Sequence, residues 1–323
     1  MTVEPRTVLI TGGAGYIGAV SANALIAAGH RVVILDDLSA GHADTIPNEA
    51  SSIVGSYADG DRMQSLLRDA RIDTILHIGA LSIVAESVAQ PERYFRANLV
   101  GSIALLDAAI AVGVKHLIFS SSAAVYGAPS ASVLHEEIPL APVNPYGATK
   151  AAFEQVLRAY SAAHGLTATA LRYFNVAGAT ELVSERHNPE THLLPRLMSA
   201  ALAGEPFPIY GNDYATPDRT AVRDYVHVAD VAAAHLAAIE KFAALEAQGF
   251  SAINIGSGAG TSIREAIKAI EKASGARVDV QEHPRRAGDP PRLVADISKA
   301  QGQLGWRPRQ SDINRIVKSL LPK

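Results

Sequence analysis

The first half of the chain alternates two hydrophobic rhythms. Short runs are apolar at consecutive positions: Thr7-Val-Leu-Ile-Thr11, Arg31-Val-Val-Ile-Leu35, Ser52-Ile-Val54, Asp73-Thr-Ile-Leu-His77 and His116-Leu-Ile-Phe119. Longer Ala- and Leu-rich stretches lie between them, the first running through Ala28. Consecutive apolar positions mean strands buried on both faces, and strands alternating with helices mean a parallel sheet. Right-handed crossovers then wind the sheet doubly, with helices on each side.

The rhythm breaks after about Ala177. Residues 178–225 mix Pro, Gly and charge with little periodicity. Val228–Ala243 reads as a helix, Ala252-Ile-Asn-Ile255 as a strand, Gly256–Thr261 as a Gly-rich loop and Ile263–Ala273 as an amphipathic helix. The pattern predicts an α/β fold with a larger domain over 1–177, to which 226–256 returns. A second, smaller α/β domain is expected from 178–225 and 257–323.

Composition narrows the classes. The formal net charge is -3 and the pI about 6.4, so no basic excess exists to coat a phosphate backbone, and nucleic acid is not expected as a partner. There is no cysteine, which excludes disulfides, thiolate nucleophiles and Cys-ligated metals. The opening Met1-Thr-Val-Glu-Pro5 carries no leader pattern, and no stretch reads as a bilayer span. A soluble cytoplasmic protein without a membrane partner is the expectation.

Candidate chemistry begins at the first strand-to-helix turn, Thr11-Gly12-Gly-Ala-Gly15-Tyr-Ile-Gly18. Gly12 permits a tight turn, Gly15 lets backbone approach a pyrophosphate, and Gly18 lets the helix pack close. The helix N-terminus then offers N–H donors to phosphate. Glycines alone serve any such turn. The strand before, the helix after and Asp36 at the end of the second strand make this a Rossmann-type dinucleotide loop. Asp36 would accept from ribose hydroxyls and repel a 2′-phosphate, so NAD is expected rather than NADP.

Asn144-Pro145-Tyr146-Gly-Ala-Thr-Lys150 sets Tyr and Lys four residues apart behind an N-cap and an N1 proline. Both would face the same way, one turn apart. A nearby ammonium and the positive end of the helix would stabilise the phenolate of Tyr146 and make it a general base. Ser120-Ser121-Ser122 ends the fifth strand, where one hydroxyl can bridge Tyr146 and a substrate hydroxyl. A surface Tyr–Lys pair and a plain polar turn are the competing readings. No Ser–His–Asp set or metal-ligand spacing competes, and His187 and His192 are read as solvent or phosphate neighbours, so no metal is expected.

With these residues in hand, the chain resembles the extended short-chain dehydrogenase/reductase family over nearly its whole length. Phe119–Gly127, Leu171–Asn175, Glu190–Pro195, Tyr210–Pro217 and Val222–His227 make it similar to the UDP-glucose 4-epimerases within that family. The resemblance implies Ser122, Tyr146 and Lys150 as the catalytic set: Ser122 on the sugar 4-hydroxyl, Tyr146 as base, Lys150 on the nicotinamide ribose. It implies NAD held by Gly12, Gly15, Tyr16, Ile17, Gly18, Asp36, Asp37, Ser56, Tyr57, Ala80, Asn98, Lys150 and Tyr173. It implies a UDP-sugar held by Ser122, Tyr146, Asn175, His192, Leu193, Tyr210, Arg223, Tyr225, Arg286 and Asp289. In that set Arg223 and Arg286 would clamp the diphosphate, Tyr210 would lie beside the uracil and Asp289 would bind the uridine ribose.

The same resemblance marks departures. Ala123 and Ala124 follow Ser122 where related dehydratases carry acids, which disfavours elimination of water. Ser56 stands where many relatives carry Asp toward adenine, and Ser82 replaces a frequent Lys. Both loosen NAD unless Asp59 substitutes. Arg219 replaces a frequent Gly. Leu293, near the sugar pocket, leaves N-acetylated sugars open. The alternatives are a 4-epimerase of UDP-N-acetylglucosamine, UDP-glucuronate or a UDP-pentose, or a non-catalytic NAD-binding regulator. The family implies a homodimer through the helices around Leu99–Val112 and Ala151–Ala163.

Overall fold

The computed structural model describes residues 4–187, 189–286 and 289–322. Residues 1–3, part of the segment read for a leader, lie outside the described residues. In chain order the elements open with Thr7–Thr11 (β1), Tyr16–Ala27 (α1), Arg31–Asp36 (β2), Ser51–Val54 (β3), Gly60–Asp69 (α2) and Thr74–His77 (β4). Val84–Ala89 (α3), Pro91–Tyr94 (α4), a wider π-type stretch Phe95–Gly101 and Ser102–Val112 (α5) lead to His116–Ser122 (β5). Val133–Leu134 (β6), Pro145–His164 (α6), Thr167–Tyr173 (β7) and Asn175–Ala177 (β8) follow. The remainder holds Leu193–Ala203 (α7), Phe207–Tyr210 (β9), Val222–His227 (β10), Val228–Glu240 (α8), Phe242–Glu246 (α9) and Phe250–Ile255 (β11). Gly260–Ser262 (β12), Ile263–Ser274 (α10), Val280–His283 (β13), Arg292–Ala295 (β14) and Ile313–Ser319 (α11) end it.

Seven strands form the main sheet in the order β11-β7-β5-β4-β1-β2-β3. All of its pairings are parallel. The order reverses between β1 and β4, and open α/β sheets bind ligands in the crevice beyond the strand ends at such a point. Alternate residues of each strand serve opposite faces. Val8, Ile10, Val32, Ile34 and Ile118 pack with α1 and α8 on one face. Leu9, Val33, Leu35, Leu117 and Phe119 pack with α2, α5 and α6 on the other.

A second sheet runs β12-β10-β14-β6, with β8 also on β10, and β9 pairs with β13. Helices α7, α10 and α11 close a separate apolar cluster around Leu197, Ile209, Ile270 and Ile316. The tail then returns to the first face: Trp306 is buried among its residues and donates Nε1–H to the Asp230 carbonyl at 2.9 Å. The Asp230 carboxylate accepts from Arg309 N, Gln310 N and Ser311 Oγ at 2.9, 2.8 and 2.6 Å.

Three local expectations change. The helix expected over 228–243 is two helices, because the backbone leaves helical geometry at Lys241 (φ −100°, ψ 12°). The Gly-rich loop 256–261 runs into a short strand, β12, antiparallel to β10. Contrary to the expectation that no stretch is long enough to span a bilayer, the helical run Pro91–Val112 passes that test by length and composition at 22 residues. Its apolarity has a core use: Leu105, Leu106, Ala108 and Ala109 are fully buried against the sheet.

Candidate active site

The Gly-rich turn sits at the crevice. Gly12 has φ +69°, and a Cβ there would lie 2.6 Å from Gly79 Cα. A Cβ on Gly18 would lie 2.1 Å from the Gly12 carbonyl oxygen, so neither position admits a side chain. Gly15 precedes α1 and provides no side-chain cap. The first-turn N–H groups of Tyr16, Ile17 and Gly18 have no intrahelical acceptor, and this positive helix end faces anions favourably. Asp36, buried at the end of β2, accepts from Ala14 N at 2.9 Å and Leu38 N at 2.8 Å. Each carboxylate oxygen keeps capacity for a further donor. Free backbone donors for phosphate beside a fixed carboxylate for ribose hydroxyls fit a dinucleotide.

The other sequence-expected cofactor residues spread around this crevice. Asn98 is buried and clasps Leu81 through both its amide groups, at 2.8 and 2.9 Å, fixing the loop after β4 that carries Ala80. Tyr57 is half-buried, edge-on to His77, and donates to Ala97 O at 3.2 Å. Asp37 and Ser56 are exposed. Asp37 accepts from Ser39 N, and Ser56 Oγ from Ala58 N. Asp59 is committed elsewhere: it caps α2 by accepting from Arg62 N at 3.2 Å. Ile17 packs on the apolar clusters either side of α1. The Tyr16 hydroxyl donates to the Gly178 carbonyl.

The structure brings Ser122, Tyr146 and Lys150 together at the carboxyl edge of β5. Asn144 caps α6 as expected, accepting from Gly147 N at 2.8 Å, and Pro145 opens the helix. Tyr146 and Lys150 therefore lie one turn apart. Burial pushes the Tyr146 phenol above its ordinary range, and its hydrogen bond with Ser122 pulls the other way. Burial pushes the Lys150 ammonium down to about 7, with Glu154 opposing the shift. Lys150 Nζ donates to the Ser120 carbonyl at 2.7 Å and lies 5.8 Å from the Tyr146 ring centre. The expected easing of the phenol by lysine and helix end is thus outweighed by desolvation.

Tyr173 pairs in register with Ser122 on the neighbouring strand. Its environment is set by a buried imidazole. Ser21 Oγ donates to Ile17 O at 2.7 Å, so it accepts from His235 Nδ1–H at 2.9 Å. His235 Nε2 is then free to accept from the Tyr173 hydroxyl. Burial pushes His235 down to about 3 and holds the ring neutral. His77 follows the same logic. Ser102 Oγ donates to Asn98 O and accepts from Nε2–H, leaving Nδ1 for Thr11 Oγ1 at 2.7 Å.

The remaining residues expected to hold a substrate lie on or beside the second sheet, on the β9–β13 pair and at the start of α7. In β10, Arg223 and Tyr225 share one face, while the buried Asp224 takes the other. Arg223 Nη2 pairs with Asp289, which also accepts from Tyr214 OH at 2.9 Å. The exposed Arg286 stacks on Tyr210, 4.1 Å from the ring centre. Asn175 donates to Asp224 O at 2.9 Å. His192 is the residue before α7 and Leu193 its first. Leu293 stands opposite Arg223 in register.

Sequence reasoning missed three groups. Asp224 ties the 256–259 loop to β14, accepting from Ser257 N at 2.6 Å, Gly258 N at 3.0 Å and Ala295 N at 3.1 Å. The signal for it was a carboxylate at an inward position of a strand. Glu154, one turn beyond Lys150, is buried with Arg172. The third is Glu185, which joins His187 and His192, the two histidines already noted in the sequence; the three ligand atoms lie within 4.8 Å of one another. His187 pairs with Glu185 at 2.6 Å and His192 with Glu190 at 2.8 Å, so these donors serve one another.

Residues 8–256 match the family described as the NAD dependent epimerase/dehydratase family. A UDP-glucose 4-epimerase of Corynebacterium glutamicum is 42% identical over 310 residues, 96% of this chain and 93% of that protein. The crystal structure of UDP-glucose 4-epimerase from Brucella ovis in complex with NAD superposes with TM-score 0.93 at 41% identity, covering 97% of each chain. The UDP-Glc/GlcNAc 4-epimerase of Campylobacter jejuni superposes with TM-score 0.86 at 37% identity, covering 98% of each.

Proposed function

The chain belongs to the NAD dependent epimerase/dehydratase family, and we propose that it interconverts UDP-glucose and UDP-galactose by inverting C4 of the sugar. One observation carries the reading: Ser122, Tyr146 and Lys150 converge at the carboxyl edge of β5, in the same parallel sheet whose β1 leads into the uncapped N-terminus of α1. When bound, NAD supplies a hydride acceptor and donor for C4 and a cationic ring that favours ionised phenol. Tyr146 takes the proton from O4, and Ser122 holds that hydroxyl toward it. The sugar turns as a 4-keto group, C4 takes the hydride back on its opposite face, and Tyr146 returns the proton to O4. Proton and hydride both leave and return, so the net change is configuration alone.

Turning requires a firm hold on the nucleotide and a light one on the sugar. Arg223 and Arg286 suit the diphosphate, with Tyr210 and Asp289 for the uridine. The division read from the sequence serves this reading, 178–225 with 257–323 for this hold and 1–177 with 226–256 for NAD, except that 300–311 packs with the NAD-side core. Phe95 and Val100 on the 91–112 run are exposed, which supports a homodimer through this face. A cytosolic site of action fits the cysteine-free chain.

The test is a coupled assay of UDP-glucose formed from UDP-galactose, for wild type and Tyr146→Phe. Loss of at least 100-fold in kcat in the variant supports the reading. Equal rates overturn it.

A further inference from the structure

Strand β5 ends in three serines, of which one is useful to catalysis. Side chains alternate across a strand, so Ser120 and Ser122 share a face and Ser121 takes the opposite one. A slip of one residue would present Ser121 to the pocket and turn Ser122 away. Strand pairing and the apolar alternation of Leu117, Ile118 and Phe119 set this register, and the group that meets Ser121 adds to it.

The structure supplies that group. Ser121 Oγ donates to Glu154 Oε1 at 2.6 Å in a buried site on α6. Arg172, on the same face of β7, holds both Glu154 oxygens, at 3.0 Å from Nε and 2.6 Å from Nη2. Arg172 Nη1 also donates to Tyr126 OH at 2.9 Å. Ser121 and Tyr126 bracket Ser122 in the chain, so the one ion pair grips the segment on both sides. Tyr146, Lys150 and Glu154 stand at successive turns of α6. The anchor for the serine segment is thus built into the helix that carries the phenol and the ammonium.

We propose that Glu154, held by Arg172, is a positioning residue of the reaction: it helps fix which hydroxyl of the serine triplet meets the substrate and supplies the negative charge facing Lys150. The inference rests on the assignment of Ser122, Tyr146 and Lys150 above. The groups around the Lys150 ammonium are Glu154 and Tyr146 on α6, the Phe119 ring and Ser120 carbonyl on β5, and His77 on β4. His77 is neutral, its proton binding suppressed by burial to about 3. Among these Glu154 is the anion that raises Lys150's proton affinity. Removing its charge lets Lys150 lose its proton at lower pH.

The experiment measures UDP-galactose epimerisation against pH for wild type, Tyr146→Phe, Glu154→Gln and the double variant Glu154→Gln/Arg172→Gln. Gln keeps an acceptor for Ser121 and deletes the charge. The double variant avoids leaving a buried guanidinium unpaired and serves where the single variant does not fold. The expected result is a folded, NAD-binding variant with kcat down tenfold or more, KM for UDP-galactose within threefold, and the alkaline limb of the kcat profile moved to lower pH by at least half a unit. A folded variant with wild-type kcat and an unmoved limb overturns the proposal. Activity surviving in Tyr146→Phe would instead overturn the catalytic assignment beneath it.

Discussion

Arg223 and Asp289 form an ion pair across the second sheet, although each has the chemistry to bind a different part of a nucleotide sugar. Arg223 and Asp289 therefore balance each other's charge, and a diphosphate at this place competes with Asp289 for the guanidinium. Arg223→Ala is expected to raise KM for UDP-galactose roughly 10- to 100-fold, the weight of a charged hydrogen bond. kcat should stay within a few-fold, because the guanidinium holds ground state and transition state alike. Steady-state kinetics checks this. A kcat loss without a KM change would assign Arg223 to the chemical step.

Cofactor retention turns on the far end of the crevice. Ser56 is exposed and hydrogen bonds within its own turn, and Asp59, the nearby acid, is committed to capping α2. Position 56 itself carries a hydroxyl and no negative charge. Protein purified without added NAD should carry substoichiometric cofactor, and Ser56→Asp should raise the retained fraction. Cycling assays on acid-released nucleotide measure both. Full occupancy of the wild type would reject the idea.

Acid sensitivity follows from the two neutral imidazoles. His77 and His235 sit at about 3 when folded against about 6.5 when unfolded. Between those values the unfolded chain binds more protons, so their stabilising effect is complete above pH ~6.5 and fades as pH falls toward 3. Each ring should weaken the folding equilibrium ~10-fold per pH unit in that window. Urea midpoints at pH 7.5 and 5.5 should show a wild-type loss that His77→Gln reduces by one proton's share. Identical pH slopes would refute the assignment.

The exposed apolar face of the 91–112 run has a direct test. Val100 and Phe95 on it are 60% and 38% exposed, and Val88 on the preceding α3 is 64% exposed. Wild type should sediment as a dimer and Val100→Glu as a monomer by size-exclusion light scattering. A wild type that is monomeric at micromolar concentration would leave this face unexplained.

Legibility in the sequence tracked locality. The glycine turn, Asn144 cap and Tyr146–Lys150 spacing each operate within one helical turn or one crossover, so residue type and spacing sufficed. The Glu154–Arg172 and Arg223–Asp289 pairs join residues 18 and 66 positions apart, and no periodicity links them. β12 was hidden because Gly260-Thr-Ser262 lacks strand-forming bulk and gains its order from β10. The phenol's environment was misjudged because desolvation is set by how the whole crevice closes, which spacing along one helix does not report.

The tail's return to the cofactor side has a consequence for how the chain is built. Trp306 and the backbone at 309–311 are stitched to α8 through Asp230, deep under the first sheet. The core under the first sheet therefore lacks part of its interior until residues 300–311 have emerged from the ribosome. Exchanging the second-sheet portion for a homologue's would succeed only if the junction leaves 300–311 with its native host.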